Sequence, residues 1–185
     1  ITVAGGSHSF KRFEGDYTGP LTDNFAFRIN GAFEDAGSFR DTVETTRKFL
    51  SPSFTAKIGE NSSLWYELEW SRQELPFDRG VPAINGVLGG LPVTRYLGEP
   101  GDGPNEAGAT GHQLQFEHVF AGDWSLLIGG AHRKTNLKGI GENPEFAAGR
   151  NRFFTDGRSL ARQRRFIDYD TTNKVARAEA SGSIE

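Results

Sequence analysis

The stretch Phe25-Ala26-Phe27-Arg28-Ile29-Asn30-Gly31-Ala32-Phe33-Glu34 alternates with period two. Phe25, Phe27, Ile29, Gly31 and Phe33 form one face, and Ala26, Arg28, Asn30, Ala32 and Glu34 form the other. Successive side chains of a strand point to opposite sides, so this is a strand with one greasy face and one wetted face. Leu64, Tyr66, Leu68 and Trp70 stand against Trp65, Glu67, Glu69 and Ser71 in the same way. Residues 112–120 and 124–132 repeat the pattern, with Leu114, Phe116, Leu126 and Ile128 on the apolar side. Three weaker strands are read at 1–17, 49–58 and 165–184, which makes seven strands and no convincing helix. Pro52 lies inside one of them, where a missing N–H usually demotes a strand to an edge or a bulge.

Composition narrows the class. The chain has 185 residues, enough for one domain or a piece of a larger one. Its 21 Lys and Arg against 24 Asp and Glu give a net charge of -3, which argues against a nucleic-acid partner. There is no cysteine, hence no disulfide and no thiolate metal site. The absence of methionine suggests a start inside a longer reading frame or after processing. With 24 Gly, 15 Phe and only 36% hydrophobic residues, the content suits twisted β-structure better than a helical core. No run approaches the length of a membrane helix, and no signal peptide is visible; neither absence speaks against a β-barrel.

The connections carry a second pattern. Residues 18–24, 59–62 and 121–123 are short and rich in Gly, Asn and Asp, as tight turns require. Those at 36–46, 75–110 and 140–155 are long, and 75–110 holds five of the eight prolines. Strict alternation of short and long connections is the plan of an outer-membrane barrel, with tight turns at one end and loops at the other. Trp124, Trp70, Phe120 and Phe25 fall at the ends of strands on the apolar face, where such a barrel keeps its aromatic girdles. A soluble β-sandwich shares the alternation, but a connection as long as 75–110 is unusual in one.

Several segments resemble the TonB-dependent siderophore receptors. Gly15-Asp16-Tyr17-Thr18-Gly19-Pro20-Leu21 is similar to their periplasmic Asp-x-x-Gly-Pro-Leu turn, and residues 27–41 resemble an early barrel strand with its loop. Phe49-Leu50-Ser51-Pro52-Ser53 resembles a recurrent strand of the family that tolerates the proline. Pro76-Phe77-Asp78-Arg79-Gly80-Val81-Pro82-Ala83 with Gly98-Glu99-Pro100 resembles its large loop, and residues 112–120 with Asp123-Trp124-Ser125-Leu126 resemble a hairpin. The resemblance runs over nearly the whole chain. It implies an all-β antiparallel meander that forms part of a transmembrane β-barrel, with residues 1–185 a partial barrel domain. The plug domain, the TonB box and the C-terminal aromatic strand of the family are not found, and seven strands cannot close its barrel of about 22 strands.

In the barrel reading the polar faces line the lumen. Arg28, Asn30, Glu67, Glu69, Gln115, Glu117 and Arg133 would then face the plug, guiding a charged ligand or simply solvating the pore. Binding groups concentrate on loops held by rigid scaffolds. The connection 75–110 offers Phe77, Arg79, Arg95 and Tyr96, two flat apolar rings and two guanidinium groups suited to an anionic chelate. The plainer alternative is that Phe77 and Tyr96 pin the loop to its neighbours. Arg158, Arg162, Arg164 and Arg165 could meet lipopolysaccharide phosphates or an anionic ligand, or could be a solvated strand extension paired locally with Asp168 and Asp170.

Catalytic residues are not expected. His112 and His118 are too far apart along one strand to chelate an ion, and no nucleophile elbow, phosphate loop or dinucleotide fingerprint occurs. No metal site and no cofactor are expected; iron enters only as a siderophore-bound substrate. The resemblance implies a non-enzymatic importer of ferric siderophores in the bacterial outer membrane. Its partners would be the ferric siderophore, the TonB complex acting through the plug, the lipid bilayer and lipopolysaccharide, and not nucleic acid. A passive porin-type channel and a soluble β-sandwich binding module are the alternatives.

Overall fold

The computed structural model describes residues 1–83, 87–122, 124–145 and 159–183. Eight strands form one sheet in strict sequence order, every neighbour antiparallel. They are β1 Thr2–Gly5, β2 Lys11–Thr22, β3 Phe25–Gly37, β4 Glu44–Ile58, β5 Ser62–Leu75, β6 Asn105–Val119, β7 Ser125–Pro144 and β8 Arg162–Ser181. A single turn of 3-10 helix, Pro100–Asp102, interrupts the β5–β6 connection.

The eighth strand comes from residues 1–17, which the sequence pattern reads as one broken strand. His8 and Ser9 adopt positive φ, at 55° and 58°, and reverse the chain so that β1 pairs back on β2. The other strands run further than expected, always toward the long connections. There β7 carries Arg133, Thr135 and Leu137 on one face and Lys134, Asn136 and Lys138 on the other. With polar groups on both faces, hydropathy no longer alternates and cannot mark the strand, yet the ladder to β8 continues to Pro144↔Arg162.

The short turns do what their composition requires. Gly59 and Gly122 hold φ of 67° and 80°, a region that residues with a Cβ rarely enter. Pro20 sits beside a register shift, where Leu21 bulges out between Pro20↔Ala26 and Thr22↔Phe25. Pro52 stays within a central strand instead. It pairs with Ile29 on β3, and the β4–β5 ladder skips from Leu50↔Trp70 to Ser53↔Glu67 around it.

The register decides which side chains share a face. Phe27, Phe54, Tyr66 and Leu114 lie in one row across β3 to β6, and Phe54 stacks on Tyr66 at 5.2 Å. Such cross-strand pairs each contribute roughly 0.2–1 kcal/mol. The opposite face is curved inward around a concavity of ≈ 740 Å³ lined by Arg12, Glu14, Asn30, Glu34, Arg47 and Gln73 among others. Among the described residues no second layer covers the apolar face: Val43 and Pro144 are buried, while Tyr17, Leu114 and Ile128 are 70%, 48% and 49% exposed. A sandwich would bury these rings and branched chains between two sheets. Among the described residues there is one sheet and no dry interior, which argues against the β-sandwich alternative.

The upper edge of the apolar face runs obliquely across the ladder. Phe13 and Phe33 are direct partners and both apolar. Followed strand by strand, their row continues as Lys48, Arg72, Gly108, Asn136 and Asp170. On β7 and β8 the run of small and apolar outward pairs that starts at the short turn ends at Gly130↔Ala176, three outward side chains lower, and Ile140↔Phe166 stands apart beyond the charged pairs. A level hydrocarbon slab crossed by strands tilted at about 35–45° leaves this trace, because perpendicular partners then lie at different heights. Trp70 marks the band's edge toward the long loops, whereas Phe25, Phe120 and Trp124 lie at the short-turn end.

Ile29 is at the middle of the band on β3. Ile29→Arg in the full-length protein should destabilise insertion by about 2–4 kcal/mol, and Asn30→Arg on the other face by clearly less. Denaturant titration of the protein folded into lipid vesicles measures both.

Candidate functional site

The site is a wall of paired charges beneath a stapled loop. On the concave face Glu34, 8% exposed, accepts from Arg12 at 2.6 Å and from Arg47 at 2.7 Å. These are charge-assisted bonds in a shielded position, where losing one partner would leave a carboxylate poorly solvated. Arg12 also reaches Glu14 at 2.8 Å. Arg28 is held by Asp16 at 2.9 Å across the β2–β3 ladder. Arg133 reaches over Gly111 to Glu69 at 2.7 Å, spanning β5 to β7. An added Cβ at position 111 would lie 3.8 Å from the Arg133 Cγ, in ordinary van der Waals contact. Glu67 lies opposite Gln113, and Gln115 donates to Glu117 at 2.8 Å.

Arg28, Asn30, Glu67, Glu69, Gln115, Glu117 and Arg133 therefore share one face of the sheet. Sequence reading missed Asp16, the partner of Arg28, and Arg12 and Glu14 beside it. All three lie in the segment read as glycine-broken, although their own spacing of two already marks a polar strand face.

The connection 76–104 is tied down from two sides. Arg40, on the β3–β4 loop, binds Asp78 at 2.6 Å with both side chains largely shielded, and donates to the Val93 carbonyl at 2.7 Å. The Asp41 amide adds a bond to the Thr94 carbonyl at 2.7 Å. From the other side, Arg162 donates to the carbonyls of Leu97 and Gly98 at 3.0 and 2.9 Å and pairs with Glu142 at 2.8 Å. Arg164 takes Asp102, with Arg164 Nε 3.0 Å from its carboxylate.

This revises the reading of the arginine cluster. Arg162 and Arg164 lie on the exposed start of β8 and staple the loop. Arg165 bonds the Gln163 side chain at 2.9 Å, and Arg158 lies outside the described residues. Asp168 faces Lys138 at 3.7 Å rather than an arginine. Nothing local in the sequence announced these pairs, which join residues more than 60 positions apart.

The four loop residues divide into two kinds. Phe77 packs over Gly141 of β7, where an added Cβ would lie 3.1 Å from its ring. Tyr96 folds over Gly98 so closely that a Cβ there would fall 2.3 Å from the ring carbon bearing the hydroxyl. Burial first, and then the nearby Asp78, Glu142 and Asp102 carboxylates, push the Tyr96 hydroxyl above its ordinary value. Arg79 is exposed and lies over the Phe77 ring at 5.2 Å. Arg95 is exposed and has no ion-pair partner among the described residues.

The histidines are occupied by neighbours on the apolar face. His112 Nδ1 lies 2.7 Å from the Tyr66 hydroxyl, and His118 Nδ1 lies 2.8 Å from the Ser62 hydroxyl. Among the described residues no group of three or more His, Cys, Asp or Glu could hold a metal ion.

Comparison with known proteins agrees with this geometry. No protein-family model matches the chain. It is 31% identical over 187 aligned residues to the metal-pseudopaline receptor CntO of Pseudomonas aeruginosa, covering 100% of this chain and 25% of that protein. Its fold superposes on the ferric-catecholate import receptor Fiu from E. coli K12 with a TM-score of 0.84, at 16% identity, over 99% of this chain and 30% of that one. On the pyoverdine outer membrane receptor FpvA from P. aeruginosa the TM-score is 0.81 at 16% identity, over 99% of this chain and 27% of that one.

Throughout its length the chain is similar to these outer-membrane receptors. It spans about a quarter of the length of the curated relatives it matches. Its strands superpose on the barrel walls of those receptors, and the relatives it matches are named receptors.

Limited proteolysis at residues 76–104 reads both staples. Arg40→Ala is expected to expose the loop to cleavage at neutral pH without melting the sheet. The Arg164 guanidinium, by hydrogen bonding, holds the Asp102 carboxyl below its usual 3.8. A depressed carboxyl contributes stability above its unfolded value and loses it as pH falls through the lower, folded one. The Asp102 anchor should therefore hold down to 3.8 and open only below it.

Proposed function

We propose that this chain is a partial barrel domain, residues 1–185, of a receptor that imports ferric siderophores through the outer membrane. The observation that carries the reading is the similarity of the whole chain to a quarter of the metal-pseudopaline receptor, joined to a polar concave wall under a loop anchored at both sides. Arg28, Asn30, Glu67, Glu69, Gln115, Glu117 and Arg133 face the lumen and meet a plug domain through hydrogen bonds and water. Both arginines are matched within the wall, Arg28 by Asp16 and Arg133 by Glu69, while Glu67 and Glu117 have no ion-pair partner among the described residues.

In this reading the loop captures the ligand. Phe77 and Tyr96 fix its shape and offer ring edges, while Arg79 and Arg95 supply the exposed cations for the anionic oxygens of a chelate. Binding at loops and plug then shifts the receptor toward a conformation from which the TonB complex opens the path. A passive porin would need neither an anchored ligand loop nor coupling to the inner membrane. A second chelate is favoured by the relative that is named for metal-pseudopaline, so a chelate of a metal other than iron is a distinct candidate substrate.

Uptake by cells carrying the full-length receptor tests the assignment. Radioiron supplied as catecholate and as peptidic siderophores should enter only with TonB present. Arg79→Ala and Arg95→Ala should each weaken binding about tenfold, the loss expected for one charge-assisted hydrogen bond. Entry that persists without TonB would support the porin. Uptake of another metal's chelate with no iron uptake would replace the ferric substrate.

A further inference from the structure

The β3–β4 loop, residues 38–43, aims one side chain. The Ser38 hydroxyl accepts the Arg40 amide at 3.1 Å, and the Val43 amide bonds back to the Arg40 carbonyl at 3.5 Å. Val43 is buried, and Thr42 holds a φ of 62°, a region that a β-branched residue rarely enters. Such a conformation persists only where its surroundings fix it, and here it fixes the stem of Arg40.

The Arg40 guanidinium grips both legs of the 76–104 loop at once. On the first leg its Nε lies 2.6 Å from the Asp78 carboxylate, and an added Cβ on Gly80 would stand 3.2 Å from its Nη2. The Gly80 amide also bonds the Asp78 carboxylate at 2.8 Å, closing a turn around Arg79. On the second leg Nη1 donates to the Val93 carbonyl at 2.7 Å and to the Arg95 carbonyl at 3.3 Å. One shielded arginine therefore joins the two segments that carry the exposed ones. Asp78 neutralises Arg40, whereas Arg79 and Arg95 have no ion-pair partner among the described residues. Asp41 is the other carboxylate here; its amide bonds the Thr94 carbonyl, and its side chain makes no ion pair with Arg95. Arg79 lies over the Phe77 ring, which limits where its charge can point. Two like charges held near each other repel, and a ligand with two anionic groups relieves that repulsion where a neutral one does not.

We propose that Arg40 is a positioning residue for ligand capture, and that the seat it builds from Arg79 and Arg95 selects chelates carrying at least two anionic groups. This rests on the reading that the loop captures a chelate, and it narrows that chelate to a charge class. Arg40 acts through the backbone of the two segments it joins and touches no ligand itself. Its own charge is spent on Asp78, so the two cations it places are the ones left for the ligand.

The test is calorimetric titration of the full-length protein in detergent with three iron(III) chelates, the anionic citrate and tris-catecholate complexes and the cationic ferrioxamine B. An anionic chelate should bind, and ferrioxamine B should bind about a hundredfold more weakly, the effect of two charge-assisted bonds. Arg79→Ala and Arg95→Ala together should remove that same factor of about a hundred. Arg40→Ala alone should approach the same loss, yet added to the double variant it should cost about twofold or less, because the three residues act as one unit. A purely structural role would instead add its full cost in both backgrounds. Arg40→Lys keeps the charge without the planar fork and should lose about tenfold; it supplies the readout if Arg40→Ala does not fold. Wild-type affinity in both Arg40 variants, full additivity with the double variant, or ferrioxamine B bound as tightly as the anionic chelates would overturn the inference while leaving capture itself intact. Wild-type protein that binds none of the three chelates would overturn the capture reading and the inference with it.

Discussion

Inside a hydrocarbon layer each backbone N–H and C=O needs a partner within the protein, because no water is there to supply one. A meander in which each strand pairs with its sequence neighbours meets that demand at the lowest cost in chain. The β1-to-β8 order is such a solution, and it tolerates Pro52 by skipping two residues of one ladder. Once the backbone is satisfied this way, side-chain period alone sorts lipid from pore. The outward rows stay apolar without being packed by protein, and the concave rows carry ions that satisfy one another.

The same constraint explains what could be read from the sequence. Strong alternation at 25–34 and 64–73 arises where one face meets acyl chains and the other water, so these strands were legible residue by residue. Above the band both faces meet water, and the signal fades at Lys134, Asn136 and Lys138 although the hydrogen bonds go on. The β1–β2 reversal was hidden for another reason. It rests on His8 and Ser9 taking a conformation that sequence usually assigns to glycine.

The loop shows a similar division. Composition singled out its aromatic and basic residues, and the structure separates packing residues, Phe77 and Tyr96, from exposed ones, Arg79 and Arg95. What composition could not show is the anchoring. Arg40, Glu142, Arg162 and Arg164 come from three separate segments and meet the loop only once the sheet is built. A loop held from both sides loses less entropy on capturing a ligand, which favours affinity through preorganisation.

Spin labels offer the most direct test of the facing assignment on which everything else stands. The chain has 0 cysteines, so single cysteines can be introduced within it without a competing thiol. Labels at Ile29, Leu50, Leu68 and Leu114 and at Asn30, Ser53, Glu67 and Gln113 would be read in the full-length receptor in bilayers. The first set should collide with oxygen dissolved in lipid, and the second with a polar nickel chelate or with neither where a plug covers it. Oxygen-rich collisions for the second set, or no difference between the sets, would contradict the account.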